Sequence, residues 1–397
     1  MTESVTDLTA VTAADLTERL AGLDPIGVGP AGVTRLPWSP EDEATGRWFA
    51  DQAAAIGLRV ERDAAGNRWA LPAGEGPWWT VGSHLDSVRD GGRFDGPLGV
   101  AVAFAVAARC RRPLAVVSFA DEEGARFNTP TFGSRALAGL LDVDDALVRT
   151  DDTGTTMAAA MAAAGVDPEG LRETGAALDR IAGFVELHID QSRDVDAAGV
   201  PFAVASGLAA RRRLAIELRG TADHAGTTPM DERRDALAVA ARIVVAALEL
   251  ADERMRVTTG RLVVEPNART TIASRVDAWL DLRAPAPELL DDFERRWRAA
   301  AVELATAGRV DLAIRRESRS GGAVFDPELR ARLRGDDGIE TLCFAGHDAG
   351  NVAIHRPAAM VLVRNPTGIS HSPDEEVALE DAAAGATRIL RVLDELA

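Results

Sequence analysis

The hydrophobic and polar positions of the chain fall into two rhythms. In the first half, short continuous apolar runs alternate with helical stretches. "PWWTVGSHLD" (77–86) reads as a buried strand, followed by a glycine-rich loop and an apolar helix from about Gly96 to Arg111. "LAVVSFADEEG" (114–124) and "GFVELHID" (183–190) read as two more strands. This alternation predicts an α/β domain whose central, mostly parallel mixed sheet is covered on both faces. Ligands of such sheets gather beyond the carboxyl ends of the strands. His84, Asp86, Glu122, Glu123 and His188 all fall at those ends.

From about Ala209 the pattern changes. "RRRLAIELRG" reads as a strand, "DERRDALAVAARIVVAALELA" as an amphipathic helix, and "VTTGRLVVEP" and "SRVDAWLDLR" as strands. "PELLDDFERRWRAAAVELAT" is a second helix and "VDLAIRRE" a last strand. The order βαββαβ predicts a ferredoxin-like α+β domain over 209–318. The α/β pattern then returns in "TLCFAGHDAG" and "AAMVLVRNPTGISHSPDE", so the first domain is discontinuous, made of 1–208 and 319–397.

Composition narrows the classes of function. A chain of 397 residues with 46% hydrophobic residues suits two domains with ample cores. A formal net charge of −18 opposes nucleic acid and anionic membranes as partners. The opening "MTESVTDLTAVTAADLTERL" lacks the basic and apolar regions of a secretory signal, and no apolar stretch is long enough to span a bilayer. The expectation is a cytoplasmic protein. Cys110 and Cys343 are too few for a disulfide framework or a cysteine-type zinc site, so any metal must be held by histidines and carboxylates.

Taken singly, the candidate residues are ambiguous. Asp86 follows His84 by two positions on the same side of an extended strand. Its carboxylate can accept the second ring N–H of His84 and orient the imidazole as a ligand, or simply satisfy a strand-end histidine. Asp95 opens a helix, as an N-cap or as a carboxylate bridging two cations, with Gly91, Gly92, Gly96 and Gly99 letting the backbone fold tightly around it. "DEEG" (121–124) is a solvated acidic turn, or a place where Glu122 and Glu123 divide the roles of proton carrier and metal ligand. His188 sits late in an apolar run and His371 in the loop "GISHSPDE", each readable as a structural histidine or a ligand. His224 lies in a turn of the inserted domain with no metal-type neighbour. As a group, His84, Asp95, Glu123, His188 and His371 form the nitrogen and oxygen donor set that a pair of zinc-like cations favours, with one carboxylate shared.

The motifs "GSHLDSVRDGGRFDGPLGV", "DEEGARF", "FGSR", "VELHIDQ", "DHAGTTPMDERRDAL", "EPN", "AGHDA" and "GISHSPDE" run in the order of one known group. From about Arg35 to the C-terminus the chain resembles the N-carbamoyl-L-amino-acid hydrolase and allantoate amidohydrolase group of the M20 metallopeptidase-like family. The resemblance implies a zinc-aminopeptidase-like catalytic domain with an inserted lid and dimerisation domain. It implies one metal on His84, Asp95 and His188 and another on Asp95, Glu123 and His371. Glu122 would be general base and then acid, Asp86 would orient His84, and His224 would donate to the developing oxyanion from the other subunit of a dimer. Gln191, Asn267 and Arg283 match positions that hold the substrate's polar and carboxylate ends.

Four departures from the family pattern bear on the substrate. The usual "HIEQG" is "HIDQS" here, with Ser192 in the glycine position, and Thr270 replaces the second asparagine of "PNxxN". "CFAGHDA" replaces "SGAGHDA", placing Cys343 and Phe344 near the pocket, and the stretch between Asp326 and Thr341 is short.

The resulting expectation is a homodimeric amidohydrolase with two divalent ions per subunit, whether zinc, manganese or cobalt. Its partner would be a small ureido or amide carboxylate, with no nucleic acid and no membrane. The leading substrate class is an N-carbamoyl-L-amino acid, giving amino acid, CO2 and NH3. Allantoate hydrolysis, hydrolysis of an N-acyl amino acid or dipeptide, and silent binding of a small carboxylate are the other readings.

Overall fold

Four strands with nearly continuous apolar sequence form the centre of the larger sheet. Ala358–Val363, Ile181–Ile189, Trp78–His84 and Leu114–Phe119 lie side by side in that order, each parallel to its neighbours. Leu114–Phe119 and Ala358–Val363 are buried at every position, as expected of strands covered on both faces. Among the described residues the sheet has nine strands, and antiparallel ones flank this centre on both sides. Phe202–Leu208 joins Ala358–Val363, while Arg68–Leu71 and then Arg59–Arg62 join Leu114–Phe119. The mixed, centrally parallel sheet is the one that the apolar runs predict.

The computed structural model describes residues 10–396. Residues 1–9 of the acidic opening stretch, which entered the expectation about secretion, lie outside them. Among the described residues no helix is long and apolar enough to cross a membrane. The chain divides into two units, one running through Gly207 and resuming at Val324, the other Leu208–Ala323.

In the first unit, the helix Pro97–Ala107 is buried from Pro97 to Val106, which explains why its sequence is apolar all round. It packs on the strands that carry His84 and His188 and against the helices Ala13–Ala21 and Leu379–Glu395. Side chains alternate across a strand, so the core contacts assign the faces. Val185, Leu187 and Ile189 enter the main core with Val81 and Val361. Glu186 and His188 therefore point to the opposite face.

The second unit follows the order βαββαβ. Its strands Ala210–Arg219, Arg256–Glu265, Arg275–Ala284 and Asp311–Ser320 form an antiparallel sheet ordered fourth, first, third, second, which is the ferredoxin-like arrangement. The two central strands alternate buried and half-buried residues. Their buried faces meet the helices Ala236–Glu249 and Pro287–Ala307 in a core that includes Leu214, Leu280, Phe293 and Trp297. Within this unit Arg212 is buried beneath Glu294 at 2.7 Å, and Arg298 and Arg316 reach the same carboxylate at 2.8 and 2.9 Å.

Removing Glu294 strips Arg212 of its buried partner and leaves it only Asp291, whose side chain is mostly exposed. Glu294→Ala should therefore lower stability by about 3 kcal/mol in urea unfolding, the cost of stranding a buried charge. Asp292→Ala, which removes only exposed pairs with Arg295 and Arg296, should cost less than about 1 kcal/mol.

Candidate metal centre

The parallel strands end on one edge of the sheet, and that edge collects the chemistry. His84 is the last residue of Trp78–His84 and His188 the penultimate residue of Ile181–Ile189. Asp121, Glu122 and Glu123 follow Leu114–Phe119, and His371 lies in the loop beyond Ala358–Val363. Asp95 sits in the loop between Trp78–His84 and the helix Pro97–Ala107. The N-cap of that helix is Gly96, with no side-chain cap, so Asp95 is released from capping.

Each oxygen of the Asp95 carboxylate meets a different group. Oδ1 lies 3.4 Å from Nε2 of His84 and 3.1 Å from Nε2 of His188. Oδ2 lies 3.6 Å from Nε2 of His371, which is itself 3.4 Å from Oε2 of Glu123. A tetrahedral ion with ligands at about 2.0–2.2 Å holds its donor atoms about 3.3 Å apart, close to all four separations. Nε2 of His84, Nε2 of His188 and Oε1 of both Glu122 and Glu123 are buried without a hydrogen-bond partner. Buried polar atoms are almost always bonded. Four such atoms around one carboxylate fit a centre whose donors are meant for cations. The sets His84–Asp95–His188 and Asp95–Glu123–His371 can each hold a metal ion.

The electrostatics point the same way. Burial pushes the Glu122 carboxyl well above its usual range, against the pull of His84 and with Asp348, Glu123 and Asp95 adding to the rise. Burial and the charge of Asp95 raise Glu123 to about 8. Burial opposes ionisation of Asp95 as well, but His188 and His84 overcome it and hold that carboxyl well below the usual range. Carboxylates outnumber the positive groups that face them. Divalent charge would reverse this balance and favour all of the carboxylates ionised.

Asp86 acts differently from the sequence expectation. Nδ1 of His84 bonds the main-chain carbonyl of Asp86 at 3.1 Å, while the nearer carboxylate oxygen stands off at 3.6 Å. That carboxylate instead accepts the backbone N–H groups of Glu122 and Glu123, at 3.1 and 3.0 Å. Asp86 thus fixes the imidazole through its backbone and the two glutamates through its side chain. The reason is reach: the carbonyl lies closer to Nδ1, which frees the carboxylate for the next strand's loop. Gln191 is held against the same centre by its amide nitrogen. Its amide nitrogen donates to Oδ2 of Asp95 at 2.8 Å and to Ser370 at 3.1 Å, so only its carbonyl Oε1, buried and unpaired, is left for a ligand. Ser192, in the family's glycine position, bonds Asp190 through both its N–H and its hydroxyl.

His224, Asn267, Thr270 and Arg283 all belong to the second unit. His224 is exposed, and its loop pairs with the next one, since Ala225 N–H donates to the Thr270 carbonyl at 2.9 Å and His224 bridges to Thr271. Nδ1 of His224 accepts the N–H groups of Gly226 and Thr227, at 3.0 and 3.2 Å. In the neutral ring this leaves Nε2 as the N–H donor. Asn267 is exposed with φ of 52°. Arg283 is half-buried on its strand, and its Nε donates to Asp281 at 3.0 Å.

Several residues at the sheet edge were not singled out from sequence. Glu375 accepts the N–H groups of Phe94 and Asp95 at 2.7 and 3.0 Å, clamping the loop that presents Asp95. Glu186 is fully buried and accepts from Ser83 at 2.8 Å and from the Ala349 N–H at 3.0 Å. His347 and Asp348 are buried beside them. Glu186 does carry a signal, being an acidic residue inside an apolar run two positions before His188. Glu375 and His347 sit in loops, and Asp348 opens a helix of five residues, too short for periodicity to mark it.

Comparison with known proteins agrees with this geometry. Residues 70–395 match the peptidase family M20/M25/M40. An N-carbamoyl-L-amino acid amidohydrolase of Geobacillus stearothermophilus is 36% identical, over 96% of this chain and 98% of the relative. The allantoate amidohydrolase of Escherichia coli K12 is 32% identical, over 96% and 97%. Among solved structures, a hydantoinase/carbamoylase family amidase from Burkholderia ambifaria superposes with a TM-score of 0.84 at 32% identity, covering 98% of both chains. With this match and the histidine–carboxylate clusters at its sheet edge, the chain belongs to the M20/M25/M40 peptidase family of metal-dependent hydrolases, in the branch of amidohydrolases acting on non-peptide C–N bonds of linear amides.

Proposed function

We propose that this protein is a binuclear amidohydrolase that cleaves the ureido C–N bond of an N-carbamoyl-L-amino acid. The observation that carries the reading is the Asp95 carboxylate, whose two oxygens face two different ligand sets. His84, Asp95 and His188 would hold one ion, and Asp95, Glu123 and His371 the other. Zinc, manganese and cobalt all suit this donor set. Bound there, the pair of cations supplies Lewis-acid polarisation of the scissile carbonyl and acidifies the attacking water.

The chain's own groups do the rest. Glu122 is buried beside the ligands with an unpaired oxygen, placed to take a proton from the water and return it to the leaving nitrogen. Addition of water and loss of the amine leave a carbamate that breaks down to CO2 and NH3. The second unit is read as lid and dimer surface. The Nε2–H of its His224 is the donor for the developing oxyanion, reaching the site of the other protomer in a homodimer. Arg283 and Asn267 bind the substrate's carboxylate and polar end, and the Oε1 of Gln191 accepts from a ureido N–H. The small charged substrate and the acidic surface suit a cytoplasmic metabolic enzyme.

Allantoate is the second reading. It is supported by relatives such as the Escherichia coli enzyme, at 32% identity over nearly the full chain. Thr270 in place of the family's second asparagine bears on the choice, since it alters the polar contacts offered to the substrate. Ammonia release measured across N-carbamoyl-L-amino acids, allantoate, ureidoglycolate and N-acyl amino acids, each with Mn, Co and Zn, decides it. N-carbamoyl-L-amino acids should rank first. A preference for allantoate would move the assignment to the second reading, and no release from any substrate by metal-loaded protein would reject both.

Chelation should abolish turnover, and re-addition of metal should restore it with about two ions per chain by mass spectrometry. Glu122→Gln should keep both ions and lose roughly 10²- to 10⁴-fold in kcat, the usual contribution of a general base. His84→Ala should lose metal as well as activity. For the oxyanion donor, His224→Ala should lower kcat by about 10²- to 10³-fold with metal content intact. An unchanged kcat would remove His224 from the chemistry.

A further inference from the structure

His347 lies immediately before the short helix Asp348–Val352, with only 3% of its surface exposed. Neither ring nitrogen has a hydrogen-bond partner. Nδ1 is 3.6 Å from Oε1 of Glu122, which is also buried and unpaired. The imidazole packs on the ring of His188 with centroids 4.3 Å apart. Its neighbours in sequence are anchored: Asp348 accepts from the Ser134 hydroxyl, and the Ala349 N–H donates to Glu186. The backbone that follows the ring is therefore held by these two bonds.

An imidazole buried with both nitrogens unpaired is unfavourable by several hydrogen bonds' worth of desolvation. A fold tolerates such a group where it has work in a site. In either protonation state an imidazole keeps at least one N–H to donate. The complementary unpaired atom that faces it, 3.6 Å away and short of a formed hydrogen bond, is Oε1 of Glu122.

We infer that His347 is a positioning residue for Glu122, its Nδ1–H closing on Oε1 and leaving the other carboxylate oxygen for proton transfer. A bond at one oxygen fixes the rotamer of a side chain that must meet water and leaving nitrogen in turn. This inference rests on the reading of Glu122 as the base. The same ring stands with Glu186 and His188 as a possible cation-holding set, which is the rival explanation.

His347→Phe fills the ring's space without nitrogen, and in His347→Asn the amide nitrogen takes the position of Nδ1. Both are compared with Glu122→Gln and with the Glu122→Gln/His347→Phe double variant, by metal content, kcat, KM and thermal midpoint. His347→Phe should keep the metal content of the parent and its KM within about twofold, while kcat falls roughly 10- to 100-fold, the usual weight of an orienting hydrogen bond at a metal site. His347→Asn should recover much of that loss. In the Glu122→Gln background the Phe change should do nothing further, because the two residues act as a unit. Unchanged kcat in His347→Phe, or a full additional loss in the double variant, would overturn the inference. Loss of an ion from His347→Phe would overturn it in favour of a ligand role. If Glu122→Gln keeps its turnover, the base assignment itself fails, and that result is read from the single variant alone. Should His347→Phe not fold, His347→Gln carries the test, with the same loss of kcat expected because its amide nitrogen takes the place of Nε2.

Discussion

The Asp95 carboxylate stands between His84 and His188 on one side and His371 on the other, and the architecture of the larger unit can be understood as the means of holding it there. A shared carboxylate must sit at a fixed distance from donors on separate strands, so the strands must end together. Parallel neighbours do this, because their carboxyl ends share one edge. The loop bearing Asp95 then needs its own support. Glu375 provides it by accepting the N–H groups of Phe94 and Asp95, a contact spanning most of the sequence. Gln191 and Ser370 add donors to Oδ2.

Such a centre concentrates negative charge where water is scarce, and burying unpaired carboxylates is strongly unfavourable. The described structure meets part of that cost with backbone dipoles. Asp86 takes the N–H groups of Glu122 and Glu123, and Glu375 those of the Asp95 loop. These bonds leave free the nitrogen and oxygen atoms of the clusters that could hold a metal ion. The orphaned atoms of His84, His188, Glu122 and Glu123 are the remainder. A protein that evolved only to fold would have paired or exposed them. Their retention ties the local instability of the edge to its chemistry.

How much of this could be read from sequence depends on where each residue sits. The apolar runs ending at His84 and before Glu122 announced strands, and strand ends in an α/β sheet announced a site, so His84, Glu122, Glu123 and His188 were legible from pattern. The inserted βαββαβ order was legible for the same reason. Asp95 and His371 are ambiguous alone, since an acidic residue before a helix is ordinarily a cap; in the structure Gly96 occupies the cap position, which leaves the Asp95 carboxylate free of that role. Glu375 and His347 lie inside the motifs "GISHSPDE" and "AGHDA", but what each side chain does there is not legible. Their partners lie hundreds of residues away, and a loop carries no period from which to infer a face. The division of Asp86 between its carbonyl and its carboxylate was also out of reach, because strand spacing sets the side of a residue but not which of its oxygens is nearer.

Two glycines of the loop that follows His84 answer to the same geometry. Gly96 has φ of 84°, a conformation that L side chains rarely adopt, and a Cβ there would lie 2.4–2.6 Å from three atoms of the His84 ring. Steric contact of that kind would push the imidazole away from Oδ1 of Asp95, whose separation from Nε2 is 3.4 Å. At Gly92 a Cβ would lie 2.5 Å from the Glu375 carboxylate, which secures the Asp95 backbone. Each glycine therefore protects a different side of the Asp95 carboxylate, one the His84 imidazole and the other the supporting glutamate. The donor separations that a tetrahedral ion requires allow only a few tenths of an ångström of error. Any side chain at these two positions would exceed it, so glycine at 92 and at 96 follows from how closely the Asp95 loop approaches Glu375 and His84.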